Sequence, residues 1–401
     1  MENYKNTNIL VINAGSSSIK LSIFDFLNSP KLIVEAVIEN IGQSTARFIA
    51  EGTSASDNFI KTVVVPNHSI AAEILLDWLK HRTSKHKVTV IGHRVVHGGP
   101  KYFETCIIDD EVLENLRETI RFNPLHLPVE IQLIETFRQH FEQAQHIVCF
   151  DTAFHHNLPL VARLFPIPRR YEALGIRRYG FHGLSYAFVL REIKRLDGEE
   201  KASGRLILAH LGSGVSLAAV RRGVSIDTTM GLTPAGGLPM STRSGDLDPG
   251  IFTYLVRTES FDAVKFDKLV NTESGLLGLS GTTPDMEQLL NRENDDAKAK
   301  EAIDLFCYQV KKSIGSLAAA LGGLDTLVFT GGMGEHAPKI RARICEGLDF
   351  LGIKLEESLN ASNANLISTG NSGALVRVVH TDEALMIAQN IYGLLINKIS
   401  S

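Results

Sequence analysis

Two stretches of this 401-residue chain share one design, and that design limits what the chain can fold into. Residues 8–25 read NILVINAGSSSIKLSIFD, which is an apolar run, a turn of small residues and a second apolar run. Residues 205–221 read RLILAHLGSGVSLAAVR and repeat this order. Each stretch predicts a strand hairpin, with strands at 8–13 and 18–25 in the first. Two hairpins of one kind indicate a duplicated domain.

The small residues of these turns suit the binding of an anion. Backbone N–H groups in a Gly/Ser turn can form an anion-binding concavity, and serine hydroxyls add donors. An ordinary β-hairpin also needs Gly and Ser, so one turn alone decides nothing. The order differs from that of a P-loop, since Lys20 lies in the second strand. A third cluster, GGMG at 331–334, follows another apolar run, and together the three turns favour a nucleotide held between two lobes.

The rest of the chain alternates strand and helix patterns. Helices are predicted at 69–81 and after Pro128, because apolar residues recur there at helical spacing. A polar link near Gly198 precedes the second hairpin. Further strands are predicted at 32–38, 46–52, 87–96 and 146–151. This alternation is typical of the α/β class.

The composition excludes several classes of partner. With 21% charged residues and a formal net charge of −4, the chain has no basic excess for nucleic acid. No stretch reaches the roughly 18 uncharged apolar residues of a membrane span, and the first residues lack an apolar signal region. The four cysteines have no C-x-x-C spacing, which argues against a zinc site or a disulfide framework. We therefore expect a cytoplasmic protein that binds small molecules, and neither nucleic acid nor membrane.

A series of motifs, in order along nearly the whole chain, resembles the acetate kinase family and its relatives that act on short-chain carboxylates. They are VINAGSSSIK, GHRVVHGG, FDTAFH, RRYGFHG, HLGSGVS, TPAGGLPMSTRSGDLDP, SGLLGLSG, VFTGGMGE and TDEALMIA. The resemblance implies a duplicated ribonuclease-H-like fold of the actin-like ATPase type, with ATP in a cleft between two lobes. It places an N-terminal lobe at 1–152, completed by a C-terminal helix at 383–401. The second lobe, 153–382, would bind the nucleotide and form a homodimer.

The same resemblance implies reversible transfer of the γ-phosphoryl of ATP to acetate, giving acetyl phosphate and ADP, with Mg²⁺ or Mn²⁺ as the cofactor. A carboxylate is already ionised at pH 7, so the acceptor needs no general base. The protein must instead align two anions in line and neutralise charge on the transferring group.

Four candidate catalytic residues follow from the matched motifs. Arg94 would hold the substrate carboxylate, and Arg243 the equatorial oxygens of the transferring group, because a guanidinium fork matches both kinds of oxygen. His182 would donate to the same group. Asp151, at the end of a strand, would orient the metal or an arginine, with proton transfer as the alternative.

The remaining candidates surround the nucleotide, the metal and the acceptor. Asn13 and Glu383 would hold Mg²⁺, the latter through water, while Lys20 reaches the ATP phosphates and the serines and Gly15 line the first turn. The acceptor methyl group would contact Val96, Leu125, Phe181 and Pro234. The other nucleotide candidates are His210, Leu211, Gly212, Ser213, Gly214, Asp285, Met286, Glu287, Gly332, Met333, Gly334, Glu335 and His336.

Several positions depart from the family pattern. Ser213 and His336 stand where asparagine is usual, and Glu287 where arginine is usual, all on the nucleotide side. The others are Leu127, Glu130, Leu184 and Tyr186. The phosphoryl-transfer residues are intact, so the reaction is retained, but the donor stays open between ATP, another nucleotide such as GTP, and pyrophosphate.

Two alternatives follow. A propionate or butyrate kinase would share every catalytic residue, because one methylene in a pocket changes binding by only about 1–3 kcal/mol. A non-catalytic ATP-driven switch of the same superfamily would have no acceptor carboxylate for Arg94 and Arg243 to serve.

Overall fold

The computed structural model describes residues 7–15, 17–26, 29–53, 57–83 and 87–400. Ser16, one of the serines predicted to line the first turn, lies outside these ranges. The chain divides into two compact units. Met1–Ala153 and Asp382–Ser401 form the first, and Phe154–Thr381 forms the second. The roles in nucleotide binding and dimerisation expected for the second lobe stay predictions.

The first unit is built on an eight-stranded sheet. Its strands are β1 (Asn8–Ala14), β2 (Ser18–Asp25), β3 (Leu32–Glu39), β4 (Ala46–Gly52), β5 (Phe59–Val63), β6 (Val88–Val95), β7 (Cys106–Ile107) and β8 (Gln145–Phe150). They lie in the order β5-β4-β3-β2-β1-β6-β8-β7. β1 to β5 are antiparallel neighbours, whereas β1, β6 and β8 run parallel. The six strands predicted here are confirmed; β5 and β7 were not predicted.

Three helices pack against this sheet and share the apolar core of the first unit with it. They are α1 (His68–Thr83), α2 (Asp110–Thr119) and α3 (Leu127–His140). The predicted helices at 69–81 and after Pro128 are confirmed as α1 and α3. The core joins apolar side chains of β1, β2, β3 and β4 to those of α1, and it includes Trp78 and Phe137. Every residue of β1 except Asn13 is buried, so this strand lies at the centre of the unit.

The second unit contains a five-stranded sheet. Its strands are β9 (Arg205–Leu211), β10 (Val215–Arg221), β11 (Val224–Thr228), β12 (Thr326–Thr330) and β13 (Leu375–Val378), in the order β11-β10-β9-β12-β13. Its helices are α4 (Leu160–Arg163), α5 (Arg170–Ala173), α6 (Gly183–Ala202), α7 (Gly250–Glu259), α8 (Ala263–Thr272), α9 (Gly275–Ser280), α10 (Met286–Arg292), α11 (Ala297–Leu321), α12 (Gly331–His336), α13 (Pro338–Cys345) and α14 (Glu357–Ala361). The last helix of the chain, α15 (Glu383–Ser400), belongs to the first unit.

The two sheets repeat one topology. Strands β3-β2-β1-β6-β8 and strands β11-β10-β9-β12-β13 have the same order. In both, the first three strands are antiparallel neighbours and the next two run parallel to the third. The duplication predicted from the two hairpins is therefore present in the strand order itself.

Two local features correct or refine the sequence predictions. Gly198 is not in a link between halves; it is a kink inside α6, with φ 86° and ψ 170°. A positive φ favours glycine, and a glycine within a polar helix gives the sequence the composition of a linker.

Gly92 on β6 lets α15 approach the sheet, because a Cβ at this position would lie 2.3 Å from Ile391 Cδ1.

Within the part of the chain that the structure describes, no helix is long and apolar enough to cross a lipid bilayer.

Candidate active site

The carboxyl ends of three parallel strands place a polar cluster at one edge of the first unit. Asn13 lies near the end of β1, Arg94 near the end of β6, and Asp151 directly follows β8. Because parallel neighbours end at the same edge of a sheet, these side chains lie close together. Glu383, the first residue of α15, joins them.

Hydrogen bonds connect these four side chains. Arg94 pairs with Asp151 at two points, with Nε 3.1 Å from Oδ1 and Nη2 2.6 Å from Oδ2. Arg94 Nη1 also donates to Asn13 Oδ1 at 2.9 Å, and Asn13 Nδ2 donates to Glu383 Oε2 at 3.1 Å. Arg94 Nε lies 3.7 Å from the same Glu383 oxygen. The structure thus brings together four of the residues predicted from the sequence.

The electrostatics of the cluster are governed by burial and by the two carboxylates. Burial alone would lower the pKa of Arg94, but Asp151 and then Glu383 raise it well above its ordinary value. The guanidinium is therefore a permanent cation. An arginine has five N–H donors, and Asp151 and Asn13 accept from three of those on Arg94.

A buried carboxyl lies behind this cluster. Glu130 on α3 is 4% exposed, its Oε2 accepts from the backbone N–H of Val96 at 3.1 Å, and its Oε1 has no hydrogen-bond partner among the described residues. Burial raises the pKa of Glu130 to about 8. At neutral pH this carboxyl is therefore mostly protonated, so it adds little negative charge beside Arg94 and Asp151.

Lys20 lies next to the cluster, but its ammonium has a protein partner. Asn13 and Lys20 are directly opposite in the β1–β2 ladder and so share one face of the sheet. Lys20 Nζ is 2.7 Å from Glu35 Oε2, and both side chains are partly exposed. The sequence did not predict this pair. An anion that binds Lys20 must therefore displace Glu35 or share the ammonium with it.

In the second unit, the β9–β10 hairpin and the start of α6 bring two imidazoles together. His182 precedes α6 and has a left-handed backbone, with φ 57° and ψ 24°. This conformation is uncommon for a residue other than glycine, and such residues cluster at functional sites. The ring of His182 stacks on that of His210 with centroids 4.1 Å apart. His210 belongs to β9, and Ser216 is its partner in β10.

The predicted turn at Gly212 and Gly214 closes over these rings. A Cβ on Gly214 would lie 3.0 Å from His182 Nε2 and 3.5 Å from Arg243 Nη1, and a Cβ on Gly212 would lie 3.2 Å from His210 Nε2. A larger residue at either position would therefore crowd an imidazole and push it by a few tenths of an ångström. Ser213, between them, is exposed, and its side chain marks the tip of the hairpin.

Arg243 extends toward the same turn. Its Nη1 donates to the carbonyl oxygen of Pro234 at 3.2 Å and contacts Met240 Sδ at 3.6 Å. The structure therefore collects His182, His210, the glycine turn and Arg243 in one place within the second unit.

The third glycine cluster forms the start of α12. Glu335 is 6% exposed, and its Oε1 accepts from the backbone N–H of Gly331 at 2.8 Å and of Thr381 at 3.2 Å. Its side chain therefore shapes this loop. Arg341, fully buried, donates to the carbonyl oxygens of Gly334 and Glu335 at 2.8 and 3.0 Å. Burial lowers the pKa of Arg341 to about 10. Of the other candidates here, Gly332 and His336 are exposed and Met333 is half-buried.

Three nucleotide candidates lie at the start of α10, and two of them also contribute to the structure there. Asp285 caps the helix, since its Oδ1 accepts from Gln288 N at 2.9 Å. Met286 is 5% exposed, so its side chain packs into the core of the second unit, and its contact with a nucleotide stays a prediction. Glu287 is exposed.

The four residues predicted to contact the acceptor methyl group differ in exposure. Val96 and Phe181 are buried, as is Pro234, whereas Leu125 is 48% exposed. His155, also buried, donates from Nε2 to the carbonyl oxygen of Phe181 at 3.0 Å. Burial lowers the pKa of His155 to about 4, so the ring is neutral.

Comparisons with known proteins identify the family. The sequence model of the Acetokinase family matches residues 8–389. The chain belongs to this family. An acetate kinase from Rhodopseudomonas palustris (strain TIE-1) is 42% identical to this protein, over 96% of this chain and 98% of that one. The resemblance stated from the sequence motifs is confirmed.

Two solved structures resemble this member of the family over almost its whole length. A propionate kinase from Francisella tularensis subsp. tularensis SCHU S4 has a TM-score of 0.89 and 35% identity, covering 96% of this chain and 98% of that one. Porphyromonas gingivalis acetate kinase has a TM-score of 0.84 and 33% identity, covering 97% and 100%. The predicted fold class, a duplicated α/β fold of the actin-like ATPase type, is confirmed.

Proposed function

We propose that this protein is an acetate kinase, which transfers the γ-phosphoryl of ATP to acetate and releases acetyl phosphate and ADP. The observation that carries the proposal is the cluster of His182, His210 and Arg243 around the glycine turn of the second unit. These groups supply directed N–H donors and positive charge, which is what a phosphoryl group needs as it transfers.

Arg94 binds the acceptor in this proposal. Its Nε–Nη2 edge is held by Asp151, and two further N–H groups, one on Nη1 and one on Nη2, can donate to a carboxylate. Asp151 thus orients the guanidinium and offsets its charge. Because acetate is already ionised, Asp151 has no proton to remove from it.

Arg243 and His182 act on the transferring group. The Arg243 fork donates to the equatorial oxygens as charge spreads over them, and His182 Nε2 donates to one of them. Two contacts support preorganisation of these donors: Arg243 Nη1 donates to the carbonyl oxygen of Pro234, and His182 Nδ1 lies 2.8 Å from Ser216 Oγ. The in-line attack then needs only alignment of the two anions.

The donor set beside Arg94 fits Mg²⁺ or Mn²⁺. Asn13 and Glu383 supply an amide and a carboxylate oxygen within one hydrogen-bonded cluster, and hard cations of this kind bind oxygen. Among the described residues, no group of three or more His, Cys, Asp and Glu side chains could hold a metal by itself. That suits Mg²⁺, which uses few protein ligands and keeps water and phosphate oxygens. When bound, the cation would neutralise phosphate charge.

The nucleotide would bind to the second unit, at the turn formed by Gly212, Ser213 and Gly214 and at the exposed start of α12, with Lys20 reaching its phosphates. We also propose a homodimer, as the family resemblance implies.

A panel of acceptors and donors tests the proposed function. Purified protein is assayed for product release with acetate, propionate and butyrate, each with ATP, GTP or pyrophosphate and with Mg²⁺. We expect the highest kcat/KM for acetate with ATP. A higher value for propionate would instead assign the chain to the activity named for the Francisella structure. Failure of every acid to stimulate product release would refute a kinase that acts on carboxylates.

A further inference from the structure

The two stacked histidines are each held from behind by a pair of hydroxyl groups. His182 Nδ1 lies 2.8 Å from Ser216 Oγ, which is 2.5 Å from the phenol oxygen of Tyr186. His210 Nδ1 lies 2.8 Å from Ser185 Oγ, to which Thr381 Oγ1 donates at 2.9 Å. Both arrangements therefore run from a terminal hydroxyl, through a serine, to a ring nitrogen.

One helix and one strand pair produce this symmetry. Ser185 and Tyr186 are consecutive in α6, so they point in different directions and serve different rings. Ser216 and His210 are partners in the β9–β10 ladder. The side chains of Ser185, Ser216 and Tyr186 are fully buried. Buried hydroxyls of this kind use their protons in hydrogen bonds.

The proton count gives each arrangement a direction. Thr381 donates to Ser185, which leaves the single proton of Ser185 available for donation to His210 Nδ1. Burial raises the pKa of Tyr186, so its phenol stays protonated at neutral pH. Donation from Tyr186 to Ser216 and from Ser216 to His182 is the one direction that uses both hydroxyl protons within that arrangement.

We infer that Tyr186 and Thr381 are positioning residues that act through Ser216 and Ser185 to keep Nδ1 of both histidines unprotonated and the ring proton on Nε2, an inference that rests on the proposed function. The Nε2 atoms face Gly214 and Gly212. Neutral rings in this tautomer donate hydrogen bonds to phosphoryl oxygens without carrying charge. Two cationic rings with centroids 4.1 Å apart would repel each other, so the neutral form suits the pair.

The two arrangements give a matched pair of variants. Tyr186→Phe removes only the phenol oxygen, and Thr381→Val replaces a hydroxyl by a methyl group of similar size. Each leaves its serine free to donate or accept. In the full chain labelled with ¹⁵N-histidine, ¹H–¹⁵N spectra distinguish protonated from unprotonated ring nitrogens. His182→Gln and His210→Gln assign the two sets of signals.

We expect unprotonated Nδ1 in both rings of the unmodified protein. Tyr186→Phe should give a tautomer mixture at His182 alone, and Thr381→Val at His210 alone. Tyr186→Phe should also lower kcat about 10-fold with the KM for ATP unchanged, less than the 10²–10³ cost of removing such a donor. A purely structural role would not give this selectivity.

Three results would overturn the inference: a proton on Nδ1 of either ring in the unmodified protein, no tautomer change in either variant, or equal changes at both rings. The spectra need no substrate. A protein that failed to phosphorylate any acid would therefore refute the proposed function while leaving the tautomer result intact.

Discussion

The guanidinium of Arg94 and the carboxylate of Asp151 form a two-point ion pair whose members are 13% and 1% exposed. Such a pair is costly to disrupt, because removal of one partner leaves the other charge buried without compensation. Arg94 also bonds Asn13, which in turn bonds Glu383. The acceptor and metal candidates of the first unit are thus coupled, and a substitution in one alters the others.

Asp151→Asn should reduce both activity and stability. The amide keeps the shape of the side chain but removes the charge that offsets Arg94, so we expect a loss of about 3 kcal/mol in the free energy of unfolding and a large fall in kcat. Urea denaturation and steady-state kinetics measure the two. Asp77→Asn, on the exposed face of α1, is the control and should change neither. Full stability in Asp151→Asn would contradict this account of the pair.

Arg243→Ala should lower kcat far more than it weakens ATP binding. Removal of a preorganised donor to the transferring group is expected to reduce kcat about 10²–10³-fold, while the KM for ATP changes little. Arg257→Ala, an exposed arginine on α7, serves as the matched control. Equal losses in kcat and ATP affinity would show that Arg243 binds the ground state.

Gly214→Ala should impair catalysis without unfolding the protein. The new methyl group would lie 3.0 Å from His182 Nε2, so this ring must shift, whereas its distance of 3.5 Å from Arg243 Nη1 is an ordinary contact. We expect kcat to fall by about 10- to 100-fold, because small displacements of positioned groups greatly reduce the rate of reaction. Gly315→Ala on α11 is the control, because nothing lies within 4 Å of its added Cβ. Normal kcat in Gly214→Ala would show that His182 can move without loss of activity.

Glu130→Gln should stabilise the protein at alkaline pH. The raised pKa, about 8, means that the folded state keeps a proton that the unfolded chain loses above about 4.5. The free energy of unfolding therefore falls as pH rises from 4.5 to 8. Gln cannot titrate, so this pH dependence is absent from the variant. The free energy of unfolding from urea denaturation should differ between pH 5 and pH 8 by about 1–3 kcal/mol less in the variant than in the unmodified protein. The exposed Glu142→Gln should leave the pH dependence unchanged, and identical profiles for Glu130→Gln and the unmodified protein would exclude this origin.

His146→Gln should reduce the loss of stability at acidic pH. His93 Nε2 and His146 Nδ1 are 3.0 Å apart in the core, and burial lowers the pKa of His146 to about 4. Below about pH 6.5 this side chain is protonated in the unfolded chain but stays neutral in the folded state. The free energy of unfolding therefore falls as pH drops from 6.5 to 4. Gln keeps an acceptor for His93 and cannot titrate. Thermal unfolding between pH 4 and 7 should show a weaker dependence on pH in the variant; an unchanged slope would place the titrating group elsewhere.

Much of the fold was predictable because its signals are local. The hairpins at β1–β2 and β9–β10 show as paired apolar runs around small-residue turns, and the strand order of both sheets agrees with the duplication inferred from them. β5 was missed because most of its residues are exposed, which leaves no apolar run. Gly198 was misassigned because a kinked, polar helix and a linker have similar composition.

The site was predictable as a set of residues but not as a set of contacts. The motifs identified Asn13, Arg94, Asp151 and Glu383, yet only the structure shows that Arg94 is shared between Asp151 and Asn13. Ser216 and Thr381 lie within two of the matched motifs, HLGSGVS and TDEALMIA, but their hydroxyls were not predicted as partners of the histidines because these contacts are tertiary. The Lys20–Glu35 pair was missed for the same reason.

Asn13 and Lys20 face each other across the first hairpin. Successive side chains of a strand point to opposite faces, so a shift of one residue in this register would put the amide and the ammonium on opposite sides of the sheet. The number of residues in the turn therefore determines whether the amide and the ammonium lie on one face of the sheet. Substitutions that preserve this length should be tolerated far more readily than a single insertion, which would separate the two groups without removing either.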